Sequence, residues 1–255
     1  MAERIEAIAI AGLGEIAPGD DLPALIAEAL AAATDVLPLL DDDVLVVTQK
    51  IVSKAEGAIV DLTTIEPSPV ATEFARRFDR DARQVEVVLR EAKRVVRMAN
   101  GVIITETHHG FVCANGGIDA SNVGPASGSI VTLLPRDPDA SADAIRAALR
   151  ERLGHDLPVI VSDSFGRPWR FGIVDVAIGV SGILPLEDLR GEPDADGRVM
   201  RSTVRAVADE LASTAELVLG KTAGRPLALV RGAAFSRGEG RIADALIPGE
   251  MDLFR

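Results

Sequence analysis

The chain has 255 residues, 47% of them apolar, enough to bury a sizeable core in one large domain or two small interlocked ones. A formal net charge of -12 argues against nucleic acid as a partner, because duplex binding is driven by neutralising phosphates, and any anionic ligand would need local positive charge. The single cysteine, Cys113, can form no internal disulfide, no stretch approaches the roughly 20 apolar residues that span a bilayer, and no signal-peptide pattern opens the chain, so a cytoplasmic protein is expected.

In chain order, residues 5–11 predict an opening strand, and a turn at 18–21 leads into an alanine-rich amphipathic helix near 22–33. The run "DDDVLVVTQKIV" predicts a second strand whose acidic start is a solvated turn. Helical spacing of Val70, Phe74, Phe78, Val85, Val88 and Leu89 covers 70–98, with "DRDAR" dividing it into two helices. Between Glu73 and Arg97, eight basic residues face five acidic ones, which reads as a solvated face rich in positive charge. "GVIITETHHGFVCANGGID" predicts two β runs joined at His108-His109-Gly110. Ser141 is read as the cap of a helix over 141–153, followed by the buried strand "LPVIVSD", the β segment "VDVAIGVSGI", a helix over 202–219 ended by Gly220, and the strand "RPLALVRG". Strands and helices mix without a regular βαβ alternation, so the expected class is α+β.

Gly12-Leu13-Gly14-Glu15-Ile16-Ala17 fits the loose G-x-G-x-x-A pattern and raises the alternative of a dinucleotide-binding redox or binding protein. Its context speaks against that reading: Pro18-Gly19 intervenes before the helix, and the second strand runs into Thr48-Gln49-Lys50 rather than a ribose-binding acid. Gly220-Lys221-Thr222 resembles the tail of a P-loop, but Ala215 stands where the motif needs glycine. No G-x-S-x-G elbow is present, and Cys113 has no evident base. What remains is oxygen and charge at strand ends. Asp119 and Asn122 follow the hairpin, and Asp163 and Ser164 follow "VIV"; such groups suit a magnesium or manganese ion that shares substrate phosphates. Lys50 and Lys54 could meet phosphate oxygens, while Arg167 and Arg170 flank Trp169 and could grip an anion beside Asp163.

Four longer stretches in order, "VVTQKIVSKAEG", "ITETHHGFVCANGGIDASNVG", "VIVSDSFGRPWRFGIVDVAIGVSGI" and "GKTAGRPLALVRG", resemble the coenzyme F420-0:L-glutamate ligases of deazaflavin coenzyme biosynthesis, in their stand-alone form. The resemblance spans nearly all of residues 1–255, read as a single ligase-like domain of two intertwined subdomains that forms a homodimer. It implies GTP, two divalent ions (Mg2+ or Mn2+), potassium, and F420-0 and L-glutamate as substrates. By motif, Asp119 and Asp163 would hold the first ion and Ser164 would help hold the second. Gln49, Lys54 and Asn122 would contact GTP, with Leu13, Gly14, Glu15 and Ile16 lining the nucleotide. The implied chemistry is phosphorylation of the precursor's terminal carboxylate to an acyl phosphate, then attack by the glutamate amine, with later additions on the γ-carboxylate. A related ligase acting on another acid is the nearer alternative. The chain departs from the family pattern at Gly14, where proline is usual, and at Lys221, where some relatives carry Gln or Glu.

Overall fold

The structure, a computed structural model, describes residues 4–120 and 128–253. The elements are β1 (Glu6–Ile10), α1 (Leu22–Ala32), β2 (Val44–Thr48), α2 (Gln49–Ala55), β3 (Ile59–Asp61), α3 (Pro69–Phe78), α4 (Ala82–Glu91), β4 (Ala92–Ala99), β5 (Val102–Thr107), β6 (Val112–Ala114), β7 (Ile130–Thr132), α5 (Pro138–Leu153), β8 (Val159–Arg167), β9 (Arg170–Ser181), β10 (Glu187–Asp188), β11 (Val204–Arg205), α6 (Val207–Leu219) and β12 (Leu227–Arg231). The fold is α+β. Its main sheet has the order β1-β12-β2-β8-β9, antiparallel except for the parallel β2–β8 pair.

The three central strands of that sheet are continuous apolar runs rich in β-branched residues, and Val44 to Val47, Val159 to Val161 and Leu227 to Val230 are fully buried. Helices α1, α5 and α6 cover them, with Ile26, Leu30, Ile145, Leu149, Leu211 and Ala215 in the shared core. Helix α5 begins earlier than Ser141: Asp137 caps it by accepting from Ala140 N at 3.0 Å, and Pro138 supplies the first-turn φ. That start must lie close to β9, because a Cβ on Gly179 would stand 2.4 Å from the Pro138 carbonyl.

Between α2 and α5 the chain leaves the large sheet and builds a smaller unit. Helices α3 and α4 pack Phe74, Val85 and Val88 with Ile103 of the β4-β5-β6 sheet, and Leu62, Val87 and Val131 close a third cluster under the β3–β7 pair. Three sequence expectations are corrected here. Residues 92–99 form strand β4, not helix, because they pair with β5, and Lys93 and Arg94 share Glu106. Residues 49–55 are helix rather than the tail of β2, and 202–206 precede α6. The positive stretch is also largely neutralised internally, with Arg76 on Glu73, Arg83 on Asp81 and Arg90 on Glu86.

Asp43, expected in a solvated turn, is fully buried: it accepts from Arg231 Nε and Nη2 at 2.7 Å and from Leu40 N at 2.8 Å. The antiparallel β1–β12 pair also excludes a Rossmann arrangement for the Gly12 loop, which needs its strand inside a parallel sheet.

Candidate active site

One cleft of about 1100 Å³ lies at the end of the main sheet where β2 and β8 emerge side by side. Its walls come from segments far apart in sequence: Leu13 to Ile16 after β1, Thr48 to Lys54 on α2, Ala114 to Asp119 after β6, Ser162 to Ser164 on β8, Asp175 on β9, and Glu216 to Pro226 from α6 to β12.

Each charged group is placed by local structure. Helix α2 is anchored by Gln49 and Ser53, one turn apart, which both donate to the Leu133 carbonyl, at 2.8 and 2.6 Å. Lys50 and Lys54, also one turn apart, then enter the cleft. Lys50 Nζ stands 2.7 Å from Asp119 Oδ2, and the buried Lys54 reaches Glu15 Oε1 at 2.5 Å. Asp119 is held by its backbone, which exchanges hydrogen bonds with Thr132 at 3.0 and 2.8 Å.

The other wall follows from an edge strand that needs cover. The outward N–H groups of β9 donate to helix carboxylates, Asp175 N to Glu216 at 3.0 Å and Ala177 N to Asp209 at 2.9 Å, which fixes α6 along the edge. Burial holds the Asp209 carboxyl above its ordinary range, against the pull of that N–H. Gly220, at φ +61, turns the chain at the end of α6. Lys221 is thereby delivered to Asp175 Oδ1 and Glu216 Oε1, both at 2.9 Å, and to the Ser164 hydroxyl. Buried Asp175 also accepts from Ser162 Oγ at 3.0 Å and Ser164 Oγ at 2.6 Å.

Strand alternation sends the neighbours Asp163 and Ser164 to opposite faces, so the cleft wraps around the end of β8. Burial, reinforced by the charges of Asp175 and Asp119, pushes the Asp163 carboxyl up to about 7, against the opposing pull of the Ser164 N–H and Lys221. A bound cation would favour the ionised form of such a carboxyl and draw its pKa back down, and the donors here are hard oxygens. Among the described residues no three acidic, His or Cys side chains form a ready-made metal cage. An ion shared by Asp119 and Asp163 would therefore draw its remaining oxygens from water and substrate phosphates, the way magnesium is commonly held. Cys113 lies behind this wall; burial first, and then the Asp163 charge, push its thiol up to about 12, which leaves it no nucleophilic role.

Of the residues singled out from the sequence, Leu13, Gly14, Glu15, Ile16, Gln49, Lys54, Asp119, Asp163 and Ser164 line the cleft. Asn122 lies outside the described residues. Arg167 and Arg170 do not line it: β8 and β9 continue past Ser164 as a hairpin whose tip carries exposed Trp169 and Phe171, and Arg167 Nη2 donates to the Phe171 carbonyl at 2.9 Å. Sequence reading passed over Asp175 and Glu216. The one signal for Asp175 was an acid inside the otherwise apolar run "VDVAIGV"; Glu216 lies seven residues from Asp209 on the same helix face.

The pairing of one acidic seam with three lysines gives a cleft fit for a polyanion and a hard cation together. Residues 12–232 match the family model described as F420-0:Gamma-glutamyl ligase. The coenzyme F420:L-glutamate ligase of Methanothermobacter thermautotrophicus is 44% identical over 254 residues, covering 98% of this chain and 99% of that protein. The enzymes of the same name from Methanopyrus kandleri and Methanocaldococcus jannaschii are 47% and 45% identical, covering 94% and 86% of this chain and the same shares of their own lengths. With a model match over most of its length and relatives aligned nearly end to end, this chain belongs to the F420-0:gamma-glutamyl ligase family.

Proposed function

We propose that this chain is a GTP-dependent ligase that joins the α-amine of L-glutamate to the terminal carboxylate of coenzyme F420-0 through an acyl phosphate, and then adds further glutamate in γ linkage. The observation that carries the reading is the convergence of Asp119, Asp163, Lys50, Lys54 and Lys221 on one cleft in a member of this family. A free carboxylate is too poor an electrophile for an amine, so an energy-rich phosphate must be spent first. Transfer of a phosphoryl group is catalysed chiefly by positioning and by positive charge near its oxygens.

In this reading Leu13, Gly14, Glu15 and Ile16 form one wall for the nucleotide, and Gln49 and Lys54 meet it from α2. Lys50 and Lys221 bring ammonium groups to the phosphate end from opposite sides. Asp119 and Asp163 hold a magnesium or manganese ion, which when bound supplies charge neutralisation for the phosphoryl group. Arg167 and Arg170, out on the β8–β9 hairpin, have no direct place in this scheme. The apolar tip beside them, with Trp169 and Phe171 exposed, supports a homodimer covered there by a second copy. Among the described residues no helix is long and apolar enough to cross a membrane, and small soluble substrates are consistent with work in the cytoplasm.

The test is turnover. Folded protein incubated with GTP, Mn2+, F420-0 and L-glutamate is expected to yield GDP, phosphate and glutamylated product by mass spectrometry. Absence of product with all four present, or product formed equally without nucleotide, would overturn the proposal. Sedimentation at micromolar concentration checks the dimer, and a monomer there removes that part.

A further inference from the structure

The Lys221 ammonium sits in a complete oxygen socket. Its three protons face three acceptors: Asp175 Oδ1 at 2.9 Å, Glu216 Oε1 at 2.9 Å and the Ser164 hydroxyl. The socket is built rather than incidental. Asp175 is almost fully buried and braced by Ser162 Oγ, Glu216 is fixed by the Asp175 N–H, and Ser213 Oγ donates to the Asp175 carbonyl at 2.7 Å. Donating to two carboxylates and a hydroxyl, with no acceptor role for its nitrogen, Lys221 sits here as an ammonium. A divalent ion seeking Ser164 and Asp175 would have to expel this ammonium or share its oxygens with it at contact distance.

We propose that Lys221 is a specificity-determining residue that acts as the resident cation of the Ser164–Asp175–Glu216 half of the cleft, so that the enzyme takes one divalent ion per nucleotide, on the Asp119–Asp163 half. The fixed charge then faces the substrate phosphates from the side opposite Lys50. The inference rests on the nucleotide- and metal-dependent reading above and refines its ion count.

The count is measurable without turnover. Protein is saturated with a non-hydrolysable GTP analogue and Mn2+, passed through a desalting column, and analysed for manganese and nucleotide per chain. Wild type is expected to retain one manganese per nucleotide, and Lys221→Gln, with its circular dichroism unchanged, two. Two ions in wild type would overturn the inference alone, as would a folded Lys221→Gln that stays at one. Retention of neither ion nor nucleotide would overturn it together with the functional reading. Because the wild-type count decides by itself, a Gln variant that fails to fold does not rescue the idea.

Discussion

Replacing Asp43 by Asn probes whether the main sheet depends on an ion pair that the sequence presents as surface charge. The Asp43 side chain is fully inaccessible, and both its oxygens lie 2.7 Å from the Arg231 guanidinium in a fork that ties the start of β2 to the end of β12. Asparagine keeps an acceptor for Leu40 N but leaves a guanidinium, mostly buried, without its counter-charge. Breaking a buried pair from one side costs about 3–5 kcal/mol. At ~2–4 °C per kcal/mol for chains near this size, the melting temperature should fall by roughly 6–20 °C. Replacing both members, Asp43→Leu with Arg231→Met, removes the orphaned charge and should recover more than half of the loss. Urea denaturation followed by circular dichroism, with a second probe to check two-state behaviour, measures both variants against wild type. Asp43→Asn within about 1 kcal/mol of wild type, or a double variant no more stable than Asp43→Asn, would refute the reasoning.

Two other outcomes are expected. Asp163→Asn should keep the fold while GTP cleavage with manganese falls by about 10²–10³, the scale for losing one preorganised electrostatic contact; an unchanged rate removes that residue from the site. Glu86 braces the start of α3 from α4, and hydrogen bonds from Ser68, then from Arg90, draw its carboxyl down to about 2. Because the folded value lies below the ordinary one of 4.5, its contribution is fully present above pH 4.5 and disappears as pH falls through about 2. Glu86→Gln should therefore be less stable than wild type at pH 6 and converge on it toward pH 2, and a gap that is constant across this range would contradict the assignment.

Local pattern carried much of the architecture. The apolar runs of β2, β8 and β12 and the spacing of α1, α3 and α5 are visible within a few residues, because helix and strand periods are short-range physics, although the cap of α5 is Asp137 rather than Ser141. Where sequence reading failed, a distant partner decided. "TQKIV" is β-branched enough to extend a strand, yet Gln49 and Ser53 both bond to Leu133, some 80 residues away, and that contact is made only if they share a helix face. Residues 92–99 continue a helical spacing, but β5 supplies a ladder and Glu106 a counter-charge for Lys93 and Arg94. Asp43 reads as one of three exposed acids until Arg231, 188 residues on, closes over it.

The candidate site divides in the same way. Residue chemistry alone marked Asp119, Asp163, Ser164, Lys50 and Lys54 as fit for phosphate and a hard cation, since oxygen and ammonium groups at strand ends carry that meaning wherever they stand. It could not reveal that Lys221 closes an oxygen socket with Asp175 and Glu216, or that Arg167 and Arg170 ride away from the cleft on an extended hairpin. Those arrangements depend on α6 docking along the edge of β9 and on how far β8 and β9 continue to pair. The first is a long-range outcome, set by hydrogen bonds from β9 to Asp209 and Glu216 of α6; the second is a hairpin register, closed at Arg167 and Arg170, that the residue types around Trp169 do not specify.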